Sequence, residues 1–161
     1  MRGGALFVPP SRGHNRIANA SLYNELYLSD SAAGAIGETF GRFPVWDEAM
    51  LEHPRGRYAI AVFELGDLRI CDLDDARTLV RLDLKPTDVI TRNRAASQAW
   101  SRALFIEGVW IGVSWWSYYL PEWKNVALWD IASLRLDDVR ELTIASSDVR
   151  AAADTIVRLI K

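Results

Sequence analysis

The sequence predicts an α+β fold, in which a mixed, mainly antiparallel sheet is flanked by helices. The chain has 161 residues, half of them hydrophobic, which is enough for one domain with a buried core and too few for two. Segments rich in β-branched and aromatic residues alternate with amphipathic helical segments along the whole length. Because no internal repeat or low-complexity linker divides the chain, we assign residues 1–161 to a single domain.

The segment on which the prediction depends most is a strand that runs into a helix. Residues 26–28 have a strand pattern, and Ser29 or Asp30 is suited to cap the helix that follows. The apolar side chains that share one face of this helix form a predicted buried stripe: Ala32, Ile36, Phe40 and Phe43. Glu38 lies on the opposite face, where its neighbours are Gly34, Gly37 and Gly41. Each glycine costs a helix up to about 1 kcal/mol, so this face predicts the close approach either of a ligand or of another backbone.

The other predicted strands lie on both sides of the chain's midpoint. Residues 57–65 and 68–73 predict a β-hairpin across Gly66-Asp67. Cys71 falls inside this strand pattern, which predicts an inert buried thiol. Further strands are predicted at residues 5–8, 109–116 and 124–129, and residues 135–144 predict either another edge strand or a turn followed by a strand.

Four further helices are predicted, at residues 46–51, 76–82, 92–107 and 148–160. The adjacent Asp74 and Asp75 are predicted to cap the second of these and not to form a catalytic pair. The third, capped by Thr91, is expected to bury Ala95, Ala99, Leu104 and Phe105. Its arginines are expected to face solvent: Arg92, Arg94 and Arg102. The last, capped by Ser146 or Ser147, has an apolar face that extends to Ile160.

Composition and missing motifs exclude several classes of function. A net charge of −2 and a pI near 5.7 argue against direct nucleic-acid binding. A lone cysteine cannot form an intrachain disulfide, which favours a reducing, cytoplasmic setting, and no apolar run is long enough to predict a signal peptide or a membrane span. His14 and His53 lack metal-ligand spacing, so no metal site is expected. The sequence also lacks a phosphate loop, a dinucleotide fingerprint and a nucleophile elbow.

Five short motifs together resemble the RES-domain family, which includes NAD-consuming toxins of bacterial toxin–antitoxin pairs. Asn15-Arg16-Ile17 is similar to the family's Arg-Phe element, and Leu26-Tyr27-Leu28 to its Leu-Tyr-Leu element. Ala35 to Phe40 resembles Ala-x-x-Glu-(Thr or Val)-Phe. Gly112 to Ser117 resembles Gly-Ile-x-Tyr-x-Ser, and Asn125 to Trp129 resembles Asn-x-x-Leu-Phe. The resemblance covers nearly the whole chain and implies a fold like that of ADP-ribosyltransferases.

The resemblance implies four catalytic residues, which are Arg16, Tyr27, Glu38 and Ser117. An ionised Glu38 would stabilise the oxocarbenium character of the ribose when nicotinamide leaves. The planar guanidinium of Arg16 suits phosphate oxygens, including those of inorganic phosphate. Tyr27 would stack on or hydrogen-bond the nicotinamide ribose, and Ser117 would orient a phosphate or the amide.

The same resemblance raises three further points about substrate binding. Trp115 stands where the family has a tyrosine, which keeps an aromatic wall and removes a hydroxyl. The family has a further arginine near its first strand, for which the candidates are Arg2 and Arg12. Ser114 competes with Ser117 as the signature serine, and Ser117 is favoured because it follows Gly112 by five residues.

These observations predict a toxin-like enzyme that degrades NAD as a phosphorylase or a glycohydrolase. It would need no cofactor, with NAD as substrate and inorganic phosphate as an optional co-substrate. The resemblance also implies a helix-turn-helix antitoxin partner. Two alternatives remain: transfer of ADP-ribose to a macromolecule, and a non-enzymatic module whose aromatic surface binds a partner protein. The acceptor, the macromolecular target and the existence of a homo-oligomer are left open.

Overall fold

The computed structural model describes residues 13–54, 56–67, 69–129, 131–132 and 134–161. The predicted strand at residues 5–8, like Arg2 and Arg12, lies outside these ranges. The strands are β1 (Leu26–Ser29), β2 (Val45–Trp46), β3 (Glu52–His53), β4 (Gly56–Arg57), β5 (Ala59–Leu65), β6 (Ile70–Asp72), β7 (Gly112–Trp116), β8 (Lys124–Leu128), β9 (Leu134–Glu141) and β10 (Leu159–Ile160). The helices are α1 (Ala32–Phe40), α2 (Ala76–Arg81), α3 (Pro86–Val89), α4 (Arg94–Glu107) and α5 (Ser147–Thr155), with a 3₁₀ turn at Glu48–Leu51.

A four-stranded sheet in the order β1-β8-β7-β6 forms the centre of the fold. The β1–β8 and β8–β7 pairs are antiparallel and the β7–β6 pair is parallel, which confirms the mixed, mainly antiparallel sheet. One face of the sheet packs on α4 through Val113 and Leu104, and Cys71 joins the same cluster. The other face packs on the β5–β9 ribbon through Leu128 and Leu134. Cys71 is buried as predicted, and burial raises the pKa of its thiol to about 11.

The predicted β-hairpin across Gly66-Asp67 is wrong. β5 pairs antiparallel with β9, whereas β6 pairs in parallel with β7. Between them, the Asp67 carboxylate accepts hydrogen bonds from the Arg69 backbone N–H at 3.1 Å and from its Nε at 2.7 Å. β5 and β6 therefore belong to different sheets, and Cys71 lies in the buried central sheet.

The apolar face predicted for α4 is wrong in part: Leu104 is buried as predicted and Phe105 is half-buried, but Ala95 and Ala99 are exposed. The helix begins after the N-cap Asn93, and its buried residues are Ser97, Trp100, Ser101 and Leu104. Arg92, Arg94 and Arg102 are also exposed, as predicted. Ser97 and Ser101 are fully buried because their hydroxyls donate to the backbone carbonyls of Arg16 and Ile17. This face thus carries the loop that contains Arg16.

The last helix is shorter than predicted. α5 ends at Thr155, Val157 adopts a φ of 56°, and the chain then forms β10, which pairs in parallel with β2. Ile160 therefore lies in an edge strand and not on a helical core face. Similarly, Phe43 follows the end of α1 and is 40% exposed, so it does not extend the buried stripe of Ile36 and Phe40. None of the described helices is long and apolar enough to cross a membrane.

Candidate functional site

Glu38 projects from the exposed face of α1 and is held by one side chain of the central sheet. Ser31 caps the helix by accepting a hydrogen bond from the Gly34 N–H at 3.1 Å. Glu38 Oε1 accepts a hydrogen bond from Asn125 Nδ2 at 2.8 Å. Asn125 lies in β8 and is only 8% exposed, so burial restricts its side chain and the amide holds the Glu38 carboxylate in one position.

The glycines of α1 allow the close approach of two aromatic side chains. A Cβ on Gly37 would lie 2.3 Å from Cζ3 of Trp123. A Cβ on Gly41 would lie 2.7 Å from the Tyr119 ring. The segment between β7 and β8 therefore fills the space beside the glycines. This packing fixes α1, and with it Glu38, against the central sheet.

Arg16 reaches the same region from a loop that α4 holds in place. Ile17, the next residue, is fully buried, and its carbonyl accepts a hydrogen bond from Ser101 Oγ at 3.2 Å. The guanidinium of Arg16 donates from Nη2 to the Thr91 carbonyl at 2.8 Å. Burial lowers the pKa of Arg16, while the electrostatic fields of Glu38 and Tyr27 oppose this shift. Arg16 and Glu38 thus lie close enough for their charges to interact.

Tyr27 in β1 is the third member of this group. Its hydroxyl oxygen accepts a hydrogen bond from the Ile17 N–H at 3.2 Å. Its ring meets Trp115 edge-on, with the ring centroids 6.3 Å apart. Burial raises the pKa of Tyr27 well above its ordinary value, outweighing the opposite effect of the Ile17 N–H. The phenol therefore keeps its proton at neutral pH and can donate it in a hydrogen bond.

Ser117 supports the site from a distance. It is 1% exposed, and its backbone N–H donates to the Trp123 carbonyl at 2.7 Å. Its Oγ accepts from the Tyr119 N–H at 3.0 Å. These bonds shape the segment that packs against α1, and the structure shows no direct contact of Ser117 with Glu38. The competing Ser114 donates instead to Asp72 Oδ1 at 3.0 Å, away from Glu38.

Comparison with known proteins decides the family. A model of the RES domain matches residues 5–153 of the chain. The chain belongs to the RES-domain family. It is also similar in structure to a chain of the M. tuberculosis MbcT–MbcA toxin–antitoxin complex, with a TM-score of 0.70 and 18% sequence identity over 97% of this chain and 84% of that chain. No curated protein matches the sequence.

In this RES domain, Glu38 and Tyr27 both act electrostatically on Arg16, and Tyr27 accepts a hydrogen bond from the N–H of Ile17, the residue after Arg16. Trp115 lies behind Tyr27 and is 3% exposed, and its indole Nε1 has no hydrogen-bond partner among the described residues. No group of three or more His, Cys, Asp or Glu side chains suited to a metal ion occurs in the part of the chain that the structure describes.

Two contributors were absent from the sequence-predicted site. Asn125 holds Glu38, and the Thr91 carbonyl holds Arg16. Asn125 begins the Asn-x-x-Leu element of the family resemblance, which was a usable signal. Thr91 acts through its backbone, which no residue type reveals.

Proposed function

We propose that this RES domain cleaves the bond between nicotinamide and ribose in NAD, with phosphate or water as the acceptor. The observation that carries the proposal is the position of the Glu38 carboxylate. It is exposed on α1, accepts a hydrogen bond from Asn125 at 2.8 Å and interacts electrostatically with Arg16. The family includes enzymes that consume NAD, which supports the proposal that Glu38 and Arg16 lie beside a bound dinucleotide.

The proposed reaction breaks the C1′–N bond, and its electron pair leaves with nicotinamide. The pyridinium nitrogen becomes neutral as the ribose gains oxocarbenium character. Glu38 stabilises this positive charge or accepts hydrogen bonds from the ribose hydroxyls. An oxygen of phosphate or water then bonds to C1′, and water loses its extra proton to solvent.

Arg16 and Tyr27 have separate tasks in this scheme. The guanidinium of Arg16 offsets the negative charge of the diphosphate, and its bond to the Thr91 carbonyl fixes its direction. The Tyr27 phenol, which stays protonated, hydrogen-bonds or stacks on the nicotinamide ribose. Ser117 acts by positioning the segment that packs on α1.

Nicotinamide release from NAD by the purified protein tests this proposal. Glu38→Gln keeps an oxygen that can accept from Asn125 and removes only the charge, so we expect release to fall at least about 100-fold. Glu64→Gln is the control, because Glu64 pairs with Arg135 on the β5–β9 ribbon, away from the site. Absence of turnover by the wild type would refute the proposal, as would equal turnover by Glu38→Gln.

The products of the same assay identify the acceptor. ADP-ribose 1″-phosphate that forms only with phosphate present indicates a phosphorylase, and free ADP-ribose indicates a glycohydrolase. Radioactive label transferred from NAD to a protein would favour ADP-ribosyl transfer to a macromolecule over both.

We also propose that the chain acts as a toxin and that a helix-turn-helix antitoxin covers the exposed Glu38. The support is that the similar solved structure is a toxin–antitoxin complex. Expression of the chain should arrest growth, Glu38→Gln should remove the arrest, and co-expression of the neighbouring gene product should restore growth by forming a complex. A toxic Glu38→Gln variant would contradict the link between toxicity and the site.

A further inference from the structure

A second feature lies on the side of Arg16 that faces α4. A cavity of about 530 Å³ is lined, among the described residues, by Arg16, Thr91, Arg92, Asn93 and Arg94. This volume lies within the range of small-molecule sites. The site built from the sequence did not include this cavity, because Arg92 and Arg94 were predicted to be only a solvated helix face.

The charges around this cavity are of one sign. Three arginines line it, and no described lining residue carries a carboxylate. Arg92 and Arg94 are exposed and have no ion-pair partner among the described residues, whereas Arg57, Arg69 and Arg81 each face a carboxylate. Like charges around one cavity repel one another, and an anion bound in the cavity would add attractive interactions that offset this repulsion.

We infer that this cavity is a phosphoryl-binding subsite in which Arg92 and Arg94 act together with Arg16. Guanidinium groups bind phosphate oxygens through two parallel N–H···O bonds, so three of them suit a diphosphate or a single phosphate ion. Arg16 lines this cavity and also feels the charge of Glu38, so it joins the subsite to the reacting centre. The inference rests on the proposed function only for the source of the phosphoryl group, which is either the diphosphate of NAD or the phosphate acceptor.

Calorimetric titration at low salt tests the subsite without turnover. The probes are ADP-ribose, which carries a diphosphate, and inorganic phosphate. The proteins are the wild type, the double variant Arg92→Ala/Arg94→Ala and the control Arg102→Ala, whose arginine is exposed on α4 and is not among the residues that line the cavity. Both altered residues are exposed, so the double variant should fold, and its thermal unfolding curve checks this.

The double variant should bind at least one probe about tenfold more weakly than the wild type, while Arg102→Ala binds as the wild type does. Weaker binding of ADP-ribose alone assigns the subsite to the diphosphate of the dinucleotide, and weaker binding of inorganic phosphate assigns it to the acceptor. The inference is overturned if the wild type binds neither probe, if the double variant binds both unchanged, or if Arg102→Ala causes an equal loss.

The titration also separates the subsite from the proposed function. If ADP-ribose binding depends on Arg92 and Arg94 but the protein releases no nicotinamide from NAD, the subsite stands and the proposed reaction fails. If nicotinamide is released and both probes bind the double variant unchanged, the reaction stands and the subsite fails.

Discussion

Gly37→Ala should destabilise the protein even though alanine favours helices. The added Cβ would lie 2.3 Å from Cζ3 and 2.9 Å from Cη2 of Trp123. Since carbon atoms in contact lie about 3.5–4.0 Å apart, either the ring or α1 must move by about 1 Å. Overpacking costs about 1–3 kcal/mol, and an overlap this large with a rigid, buried ring belongs to the upper half of that range, about 2–3 kcal/mol, against a gain of up to about 1 kcal/mol in helix propensity. We therefore expect a net loss of about 1–2 kcal/mol, or about 2–8 °C in melting temperature.

Thermal unfolding followed by circular dichroism and by tryptophan fluorescence measures this loss. The control is a double-mutant cycle with Trp123→Phe, whose smaller ring should relieve part of the overlap and make the two changes non-additive. Movement of α1 also displaces Glu38, so nicotinamide release should fall more steeply than the stability loss alone accounts for. A Gly37→Ala variant as stable as the wild type, or strictly additive energies, would refute the packing argument.

Two other side-chain contacts have consequences that can be measured. Asn125→Ala removes the amide that donates a hydrogen bond to the Glu38 carboxylate. Because a hydrogen bond to a charged group is lost, kcat for nicotinamide release should fall roughly 10- to 100-fold with little change in the KM for NAD. An unchanged kcat would contradict the supporting role of Asn125. Burial works against ionisation of Asp72, but hydrogen bonds from Lys124 and Ser114 outweigh it and lower the pKa of this carboxyl. Lys124→Met should therefore reduce the free energy of unfolding at pH 7, by at most about 1 kcal/mol because both groups are partly exposed. Urea unfolding measures the difference in the free energy of unfolding between the wild type and Lys124→Met. This difference should be constant at pH values above about 3.9, the pKa of Asp72 in the unfolded chain, and should vanish as the pH falls through its lower pKa in the folded protein. A difference that persists in acid would exclude the ion pair as its cause.

Local patterns carried enough information to predict the elements around Glu38. The strands β1, β7 and β8 and the helix α1 occur where their residues indicated, and Glu38 is on the exposed face of α1 as the helical wheel required. These elements have strong periodicity, which depends only on neighbours in the sequence. The cap of α1 was predicted less well, because the N-cap is Ser31 and not Ser29 or Asp30.

The partner of β5 could not be predicted in the same way. β5 pairs with β9, which lies about seventy residues further along the chain, and such pairing depends on the packing of the whole domain. The short turn at Gly66-Asp67 suggested the wrong partner because turn composition indicates a change of direction and does not identify the paired strands.

Two polar residues on the buried face of α4 were missed for a different reason. Ser97 and Ser101 are polar residues that become core residues only because the carbonyls of Arg16 and Ile17 satisfy their hydroxyls. The glycines of α1 likewise had two interpretations, because the sequence does not indicate that Trp123 lies against Gly37. In both cases the deciding neighbour is distant in sequence.

The most direct test of the account is the single-turnover rate of nicotinamide release at saturating NAD by the wild type and by Glu38→Gln. The account predicts that the variant binds NAD with nearly unchanged affinity, because its amide still accepts from Asn125, and releases nicotinamide at least about 100-fold more slowly. Equal rate constants for the two proteins would contradict the claim that the charge of Glu38 drives the cleavage.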